Sequence, residues 1–352
     1  MSNSGAPSKC CPVCFGDPGL HGIIKALSDS RGECPVCLSP SEPLATVEQV
    51  REPFRMVADA YSPGRGDSTL MECLKKDWNL FGNNAIREDK QAELLGEILG
   101  RKRLSQKYKP FQGDFGEDRS GEFAEFREEI ICKNRWFFDT AGFVQDSKEF
   151  LSDLVYELRP SERLYRARVT PGSEERFVAS EMGAPPPDIA RGGRSNPDGI
   201  SYLYLASDCE TALSEVRARV GQVVAVGTFE FNTLRVVDFA EMRQTYSPFT
   251  LDETAKVGIH ASKLEFFEAV SKEMSKPVLG RFELEYLPTQ YICEMLKSFG
   301  FKGVRYRSSQ GEGHNFVLFD RDSAVANEVH HFEISTMKIQ KVVLSSQAGQ
   351  GQ

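Results

Sequence analysis

The spacing of apolar residues predicts a helical first half. Between residues 47 and 159 apolar positions recur every three or four residues, which is the period of an amphipathic helix. One helix is opened by the capping box Thr69-Leu-Met-Glu72, and another runs from Glu88 to Leu99. After a loop at 111–117, a third is predicted from Glu122 to Ile131.

The second half has the alternating pattern of strands. From Arg163 onward apolar and polar residues alternate, so successive side chains face opposite sides. The predicted strands are Leu164–Val169, Ser201–Ala206, Phe301–Ser308 and Phe316–Phe319. In the first of these, Arg166 and Arg168 share one face. Helices followed by strands predict an α+β fold.

Two further sets of apolar side chains are expected in the interior. Aromatic residues usually pack in a core, and free cysteines behave as small hydrophobic residues. The aromatic set is Trp136, Phe137, Phe138 and Phe143. The cysteine set is Cys73, Cys132, Cys209 and Cys293.

Composition excludes several classes of protein. The chain has 352 residues, 40% hydrophobic and 27% charged, with a formal net charge of -8. An acidic surface repels phosphate backbones, so general nucleic-acid binding is not expected. No apolar run reaches the length of a membrane span, and the first residues lack the pattern of a secretion signal. A cytoplasmic location is therefore predicted.

Two matched cysteine pairs near the start predict a metal site. Cys11-Pro-Val-Cys14 and Cys34-Pro-Val-Cys37 are separated by a segment of zinc-ribbon length. Four thiolates on two such turns favour a structural zinc ion with no open position for catalysis. A redox-active pair and a chance arrangement remain as alternatives. Cys10 and His21 could compete as ligands, although the symmetry of the pairs does not favour them.

Four separate polar residues are candidates for binding and chemistry. Arg166 is on a strand, and Arg194 lies in the middle of the turn-rich segment 183–199, where an arginine could hold a phosphate. Glu215 follows on a helix opened by a capping box at Ser207–Glu210, and Ser308 closes a late strand. Taken singly, these could be a solvated arginine, a Glu215–Arg219 surface pair and a turn-forming serine.

Taken together, these fragments resemble the RES family. The resemblance covers Leu164 to about Phe319, and the order and spacing of the motifs make chance an unsatisfactory explanation. The motifs are Leu164-Tyr-Arg166, Gly193-Arg194-Ser-Asn-Pro, Leu203-Tyr204-Leu-Ala, Thr211-Ala-Leu-Ser-Glu215, Tyr286-Leu-Pro-Thr-Gln290 and Tyr306-Arg-Ser308. Two positions depart from the family pattern, Asp198 and Arg307, where proline is often found.

The resemblance implies a fold, a substrate and site residues. Family members resemble ADP-ribosyltransferases, with a split and strongly curved sheet, and known ones act on NAD as bacterial toxins. By resemblance, Arg166, Glu215 and Ser308 are catalytic, and the NAD-binding residues are Arg166, Arg194, Tyr204 and Asn315. An NAD glycohydrolase or phosphorylase is the first expectation. A mono-ADP-ribosyltransferase and a non-catalytic nucleotide sensor are the alternatives.

The expected organisation has four parts. They are a zinc-knuckle segment (1–46), a helical accessory domain (47–159), a RES domain (160–345) and a disordered tail (346–352). The N-terminal part, including both cysteine pairs, resembles the accessory region that precedes some RES and HEPN domains. A protein inhibitor or antitoxin is an expected partner, and oligomerisation is left open. The segment from Phe239 to Tyr286, helical over Lys256–Met274, enlarges the chain beyond compact toxins and could be a lid, a partner surface or padding.

Overall fold

The computed structural model describes residues 8–108, 122–137, 141–172, 174–276 and 283–336. The predictions for the 111–117 loop, for the Phe138 and Phe143 side chains and for the tail concern parts outside the described residues. The predicted α+β class is confirmed, since helices pack with an eight-stranded mixed sheet. None of the described helices has both the length and the apolarity needed to cross a bilayer.

Short strands lie among the helices of the first half, which the spacing of apolar residues predicted to be helical. The strands are β1 (Lys9–Cys10), β2 (Ser30–Gly32), β3 (Glu42–Thr46), β4 (Pro63–Thr69), β5 (Lys107–Tyr108), β6 (Val155–Leu158), β7 (Leu164–Val169), β8 (Leu203–Ala206), β9 (Val223–Phe231), β10 (Leu234–Asp238), β11 (Gly303–Arg307), β12 (His314–Leu318) and β13 (Ala324–Glu333). The α-helices are α1 (Pro18–Leu27), α2 (Val47–Asp59), α3 (Leu70–Trp78), α4 (Glu88–Leu99), α5 (Arg101–Leu104), α6 (Glu122–Glu128), α7 (Ala141–Gln145), α8 (Lys148–Ser152), α9 (Cys209–Glu215), α10 (Met242–Thr245), α11 (Thr254–Ser275) and α12 (Leu287–Ser298).

Three sheets organise the strands. A small antiparallel sheet of order β1-β3-β2 lies in the cysteine-rich segment, and β4 pairs with β5. The large sheet has the order β13-β9-β7-β8-β12-β11-β10-β6. Within it β10 and β11 are parallel, and the other neighbouring strands are antiparallel. Strands far apart in sequence thus become neighbours at the centre of this sheet.

The predicted helix starts agree with the structure where local hydrogen bonds determine them. In α3 the Glu72 N–H donates to Thr69 Oγ1, and the Thr69 N–H donates to the Glu72 carboxylate, so the predicted capping box is confirmed. The second predicted helix, α4, has the expected bounds. The third is α-helical only to Glu128 and continues as a π-helical turn over Glu129–Lys133.

Some predicted interior residues are at the surface. Trp136 and Phe137 are 69% and 84% exposed, so their predicted burial is wrong. They lie in a bend beyond the π-helical turn, where no regular element turns a face toward the core. Cys132, on the turn, is also exposed, and Cys209 is half-buried. Cys73 and Cys293 are buried as predicted.

The segment from residue 239 to 286 packs against the N-terminal half. The Phe15 ring lies 5.2 Å from that of Phe54, which lies 4.8 Å from that of Phe249. Arg243 binds both carboxylate oxygens of Glu268 on α11, at 2.6 and 2.8 Å. Arg243 also donates to the Asp77 carbonyl at the end of α3, and the three aromatic rings belong to one continuous core cluster shared by the two halves. The predicted domain boundaries stay predictions; β6, which precedes residue 160, is already an edge strand of the large sheet.

Candidate functional site

The floor of the candidate site is a row of side chains across four strands. The register sets Tyr165 of β7 opposite Ala206 of β8, and Ala206 opposite Asn315 of β12. Asn315 in turn lies opposite Tyr306 of β11. Directly opposed residues share a face of the sheet. Strand pairing therefore gathers one surface from three distant parts of the chain.

Glu215 ends α9, which packs against β7 and β8. Its Oε1 accepts hydrogen bonds from Ser308 Oγ at 2.6 Å and from Asn315 Nδ2 at 2.7 Å. These two hydrogen bonds to Oε1 fix the orientation of the carboxylate, and neither of them involves Oε2. The alternative helical pair with Arg219 is wrong, because the helix ends at Glu215 and Arg217 is left-handed, with a φ of 49°.

The start of α9 corrects one sequence prediction. The predicted capping box at Ser207–Glu210 is wrong, since the N-cap is Asp208, whose Oδ1 accepts from the Thr211 N–H at 2.7 Å. Ser207 instead accepts from the backbone N–H of His314 at 2.9 Å. An extended backbone at Asp208 places its carboxylate over the first turn. The helix carrying Glu215 is thus tied to the start of β12.

Ser308 supports Glu215 from outside the cleft. Its hydroxyl donates to Glu215 and accepts from the backbone N–H groups of Gln310 and Gly311, both at 3.0 Å. Ser308 therefore stabilises its turn, as the turn-forming interpretation predicts, and also contacts Glu215. Ser308 is not a lining residue of the two cavities formed by the described residues around Glu215.

Arg166 is a cation that forms no ion pair among the described residues. Its Nη1 donates to the Tyr204 carbonyl at 3.4 Å, and its buried Nε has no partner within the described parts of the chain. Burial, with a contribution from Arg168, lowers the pKa of Arg166 to about 10, so it remains charged at neutral pH. A buried charge without an acid is costly unless a ligand supplies one.

The two arginines of β7 do not act together. Arg168 stacks on the Phe177 ring at 4.2 Å and donates to the Glu181 carbonyl. Both contacts draw its guanidinium away from the cavity that Arg166 lines. Arg166 and Arg168 are two positions apart on the strand, as in the prediction, but Arg168 is not among the residues that line either cavity at Glu215.

Arg194 is held by elements that come much later in the chain. Its Nη1 donates to the Glu273 carbonyl of α11 at 2.8 Å, and its guanidinium lies 5.1 Å from the centre of the Tyr286 ring. Thr289 Oγ1 donates to the Arg194 carbonyl at 2.5 Å. Gln290 Nε2 donates to the Gly193 carbonyl at 2.7 Å. The inserted segment thus holds the Arg194 side chain through α11, while α12 holds the backbone of the turn-rich segment 183–199, the glycine-rich loop.

Tyr204 connects the sheet with this loop. Its hydroxyl donates to Asn196 Oδ1 at 2.6 Å and accepts from the Ser195 N–H at 3.3 Å. Burial raises the pKa of Tyr204 above its ordinary value, so the phenol stays neutral. A Cβ at Gly193 would lie 3.1 Å from both the Tyr204 and the Asn196 oxygens, which explains the glycine. The Tyr204 hydroxyl is therefore hydrogen-bonded to the loop, and its ring forms part of the cleft wall.

Two cavities meet at Glu215. They measure about 180 and 460 Å³, and both are lined by Tyr204, Glu215, Tyr306 and Asn315. The smaller one has mostly apolar walls and contains Arg166. The cations that line the larger one are Arg191, Arg194, Arg217 and Lys276. The carboxylate therefore stands between an apolar compartment and a cationic one.

The structure adds cleft residues to which the sequence analysis assigned no role. Tyr306, the first residue of the Tyr306-Arg-Ser308 motif, lines both cavities, and alternation in its strand, which places it on the Ser308 side, could have identified it. Lys276 and Arg217 also line the cleft, but neither belongs to a motif. The catalytic and binding roles assigned to all these residues stay predictions.

The four paired cysteines form a separate site. Their sulfur atoms lie within 4.8 Å of one another, and all are free thiols. Three separations are 3.4 Å (Cys11–Cys37), 3.5 Å (Cys14–Cys34) and 3.9 Å (Cys11–Cys14). Tetrahedral zinc with bonds of about 2.3 Å places its sulfur ligands about 3.8 Å apart. The cluster therefore fits a metal ion of that kind.

The two other candidate ligands lie outside this group. Cys10 is buried, and burial raises the pKa of its thiol to about 12. His21 Nε2 contacts the Phe15 carbonyl at 2.8 Å, and so its ring is used elsewhere. Within the described residues the cluster consists of the two matched pairs, as predicted.

Fold and site define an α+β protein with a carboxylate cleft flanked by arginines. The family model for the RES domain matches residues 163–339, just over half of the chain. The chain belongs to the RES domain family.

Other comparisons add little. No curated protein sequence matches the chain. Among solved structures, it is similar to a chain described as "Crystal structure of the M.tuberculosis MbcT-MbcA toxin-antitoxin complex", at 14% identity over 55% of this chain and 93% of that chain, with a TM-score of 0.34. An overlap of that size supports no conclusion about this chain.

Proposed function

We propose that the protein is an NAD-degrading enzyme that cleaves the bond between nicotinamide and ribose. The observation that carries the proposal is the Glu215 carboxylate, held through one oxygen by Ser308 and Asn315 where an apolar cavity meets a cationic one. These surroundings suit a dinucleotide, because it combines an aromatic ring, a reacting ribose and a pyrophosphate.

The chemistry follows from the charge that develops in this bond cleavage. As the C1′–N bond breaks, its electron pair leaves with nicotinamide and the ribose becomes oxocarbenium-like. The fixed carboxylate of Glu215 stabilises that positive charge. Water or inorganic phosphate then forms the new C1′–O bond and releases its proton. Ser308 and Asn315 keep the Glu215 carboxylate in its reactive orientation before bond cleavage begins.

Two arginines are suited to the pyrophosphate. Arg166 has a buried nitrogen without a partner among the described residues, and a phosphate oxygen would satisfy it. Arg194 is prepositioned by the Glu273 carbonyl and the Tyr286 ring. Tyr204 and Tyr306 provide flat walls for the nicotinamide ring or its ribose. An ADP-ribosyltransferase-like split sheet is part of this proposal.

The family resemblance also supports a proposal about the role of the protein in the cell. We propose a toxin or defence effector that depletes NAD and is restrained by a protein inhibitor or antitoxin. Removal of residues 1–158 tests whether the N-terminal half takes part in that restraint, provided that a circular dichroism spectrum and a melting curve show that the remainder folds without β6 and the shared core. Unchanged NAD consumption and unchanged cell toxicity would exclude regulation by that half.

Incubation of the purified protein with radiolabelled NAD tests the reaction directly. Free ADP-ribose, or its phosphate when inorganic phosphate is present, is the expected product, together with nicotinamide. Label transferred to protein or nucleic acid would instead identify a mono-ADP-ribosyltransferase. Unchanged NAD would contradict an enzymatic role and leave a nucleotide sensor.

Replacing Ser308 with alanine is expected to lower kcat roughly ten- to hundredfold, the cost of one hydrogen bond to a charged group. KM should change little, because Ser308 supports Glu215 without lining either cavity. Steady-state nicotinamide release measures both constants. Ser323→Ala is the control, since within the described residues that hydroxyl donates to the Asp320 carbonyl and Ser323 is not among the residues that line the cleft. A selective rise in KM would contradict a positioning role.

Replacing Arg166 with lysine is expected to reduce kcat/KM roughly ten- to hundredfold, because an ammonium group cannot donate in the planar fork of a guanidinium. Arg168→Lys on the same strand is the matched control and should stay within about twofold, since Arg168 is directed at Phe177 and Glu181. Initial rates at several NAD concentrations give kcat/KM for both variants. Equal losses in both variants would exclude a specific role for Arg166.

We also propose that Cys11, Cys14, Cys34 and Cys37 hold a structural zinc ion. Four thiolates at these separations complete a tetrahedral set and leave no position for a substrate or water. When bound, the ion would cross-link two turns that are separated in sequence. The redox alternative requires disulfides, which thiol titration of the native protein detects.

A further inference from the structure

Arg307, at a position where the family pattern often has proline, is bound by the inserted segment, residues 239–286. Its Nε donates to the Ala240 carbonyl at 2.9 Å, and its Nη2 donates to both carboxylate oxygens of Glu241, at 2.8 and 2.7 Å. The Arg307 carbonyl lies 2.7 Å from Ser275 Oγ and is the nearer of the two carbonyl acceptors of that hydroxyl. The residue immediately before Ser308 is therefore held through both its side chain and its backbone.

These contacts begin where strand β10 ends. β10 lies parallel to β11 and ends at Asp238, and the Phe239 N–H that follows it donates to the Arg305 carbonyl at 2.8 Å. Every second carbonyl of a strand points to the same neighbouring strand. The next carbonyl on this edge of β11 is that of Arg307, and a side chain of α11, Ser275, reaches it in place of a strand.

The acidic partner of Arg307 is fixed by a buried turn. Asp238 Oδ1 accepts from the N–H groups of Ala240 and Glu241, at 2.9 and 3.3 Å, and its Oδ2 accepts from Arg305 Nη1 at 2.8 Å. An exposed ion pair usually contributes little, because two mobile side chains must be ordered to form it. Here the Glu241 side chain is only 21% exposed, against 62% for Arg307. Most of the ordering cost therefore falls on one partner.

Glu241 also contacts the strand that carries Asn315. His314 lies directly opposite Arg307 in the sheet, and its Nε2 is 3.5 Å from Glu241 Oε1. Arg305 Nη2 lies 3.2 Å from His314 Nδ1. Burial and the neighbouring Arg305 lower the pKa of His314, so the neutral ring accepts from Arg305 and donates to Glu241. One carboxylate thus contacts the residue that precedes each of the two hydrogen-bond donors in the cleft.

This group of contacts lies behind the cleft. Alternation along β11 places Arg305 and Arg307 on the face opposite to Tyr306, which lines both cavities. Arg307, Glu241 and His314 are not among the lining residues of either cavity. An effect of these residues on the reaction would therefore pass through the strand backbone, without contact to the substrate.

We propose that Arg307 is a positioning residue, which together with Glu241 of the inserted segment sets the place of Ser308 and so the orientation of the Glu215 carboxylate. This inference rests on the proposed function. Ser308 Oγ is 2.6 Å from Glu215 Oε1, and a charge-assisted hydrogen bond of that length weakens when the backbone behind it shifts. A proline would restrain this backbone through its ring. In this chain the inserted segment supplies the restraint.

The kinetic test uses Arg307→Met in the full-length protein, which keeps the aliphatic stem and removes the guanidinium. We expect kcat for nicotinamide release to fall about three- to tenfold with KM unchanged. In the Ser308→Ala protein the same change should cost less than about twofold, because the hydrogen bond that it acts through is already absent. Equal losses in both backgrounds, or a rise in KM alone, would overturn the proposal.

The matched control is Arg159→Met. Arg159 is an exposed arginine that follows an edge strand of the same sheet and donates to Glu157 through Nε and Nη2, at 3.2 and 2.9 Å. It does not line the cleft, so its replacement should leave kcat within about twofold. Glu241→Gln is the second test variant, since it keeps the size of the side chain and removes its charge. It should reproduce the loss seen with Arg307→Met.

Hydrogen exchange gives a measurement that does not depend on turnover. The N–H groups of Gln310 and Gly311 donate to Ser308 Oγ, both at 3.0 Å. Mass spectrometry of a peptide covering 308–313 should show faster exchange in Arg307→Met and Glu241→Gln than in the wild type and in Arg159→Met. Melting curves confirm that the variants are folded.

The outcomes separate this inference from the proposed function. Wild-type protein that consumes no NAD would overturn NAD degradation, and the exchange measurement would then decide by itself whether Arg307 positions Ser308. Unchanged exchange in both test variants would overturn the positioning role, and NAD degradation would stand if the wild type releases nicotinamide.

Discussion

Replacement of Glu215 by glutamine is expected to reduce kcat for nicotinamide release from NAD by at least about a thousandfold. Glutamine has the same size, and its amide oxygen can still accept from Ser308 and Asn315. What disappears is the negative charge opposite the developing oxocarbenium ion. The loss should therefore fall on kcat, with NAD binding retained. Single-turnover measurement of released nicotinamide, combined with calorimetric NAD binding, distinguishes the two effects.

The matched control for this change is Glu210→Gln. Glu210 lies in the first turn of the same helix, is exposed and is not among the residues that line the cleft. Its replacement should leave kcat within about twofold. A Glu215→Gln protein that retains more than a tenth of wild-type turnover would show that another group stabilises the ribose cation.

Replacement of Cys14 by serine is expected to remove the bound zinc and to lower Tm by more than about 10 °C. Cys14 is fully buried, and its sulfur lies 3.5 Å from that of Cys34. A zinc site of this type contributes its binding free energy to folding. Elemental analysis should find one zinc per wild-type chain and less in the variant. Chelation of the wild-type protein should reproduce the lower Tm.

Cys132→Ser is the control for the zinc prediction, because Cys132 is exposed and lies outside the cluster. Its zinc content and Tm should equal those of the wild type. The effect at Cys14 should extend beyond the knuckle, since the neighbouring Phe15 ring packs on Phe54 and Phe81. Metal-free wild-type protein with an unchanged Tm would contradict a structural zinc ion.

Local hydrogen bonding and short spacing made parts of the fold predictable. The Thr69–Glu72 box starts α3, and β7 has the predicted bounds, because both signals involve residues only a few positions apart. Each cysteine pair is local in the same way, since one turn aims both of its sulfur atoms at one point, whereas the meeting of the two pairs also requires the fold of the segment between them. Such features depend little on the rest of the chain.

Predictions failed where the environment outweighed a general tendency. Trp136 and Phe137 are aromatic, but no neighbouring element covers them in the described structure. Ser207 is a good N-cap residue type, but Asp208 occupies that position and Ser207 binds the His314 N–H. In each case a residue type that favours one environment was placed in another by the path of the chain.

The candidate site, too, was only partly predictable from the sequence. Residue type and order were sufficient to select Arg166, Arg194, Glu215 and Ser308, and the resemblance to the RES family added Tyr204 and Asn315. Short sequence motifs were thus enough to infer the family, the two cysteine knuckles and the α+β class before the structure was known. That Ser308 and Asn315 grip the same oxygen of Glu215, and that α11 holds Arg194, became visible only after folding. These contacts arise from the pairing of β8, β11 and β12 and from the packing of a helix on a loop, and no periodicity along the chain encodes such distances.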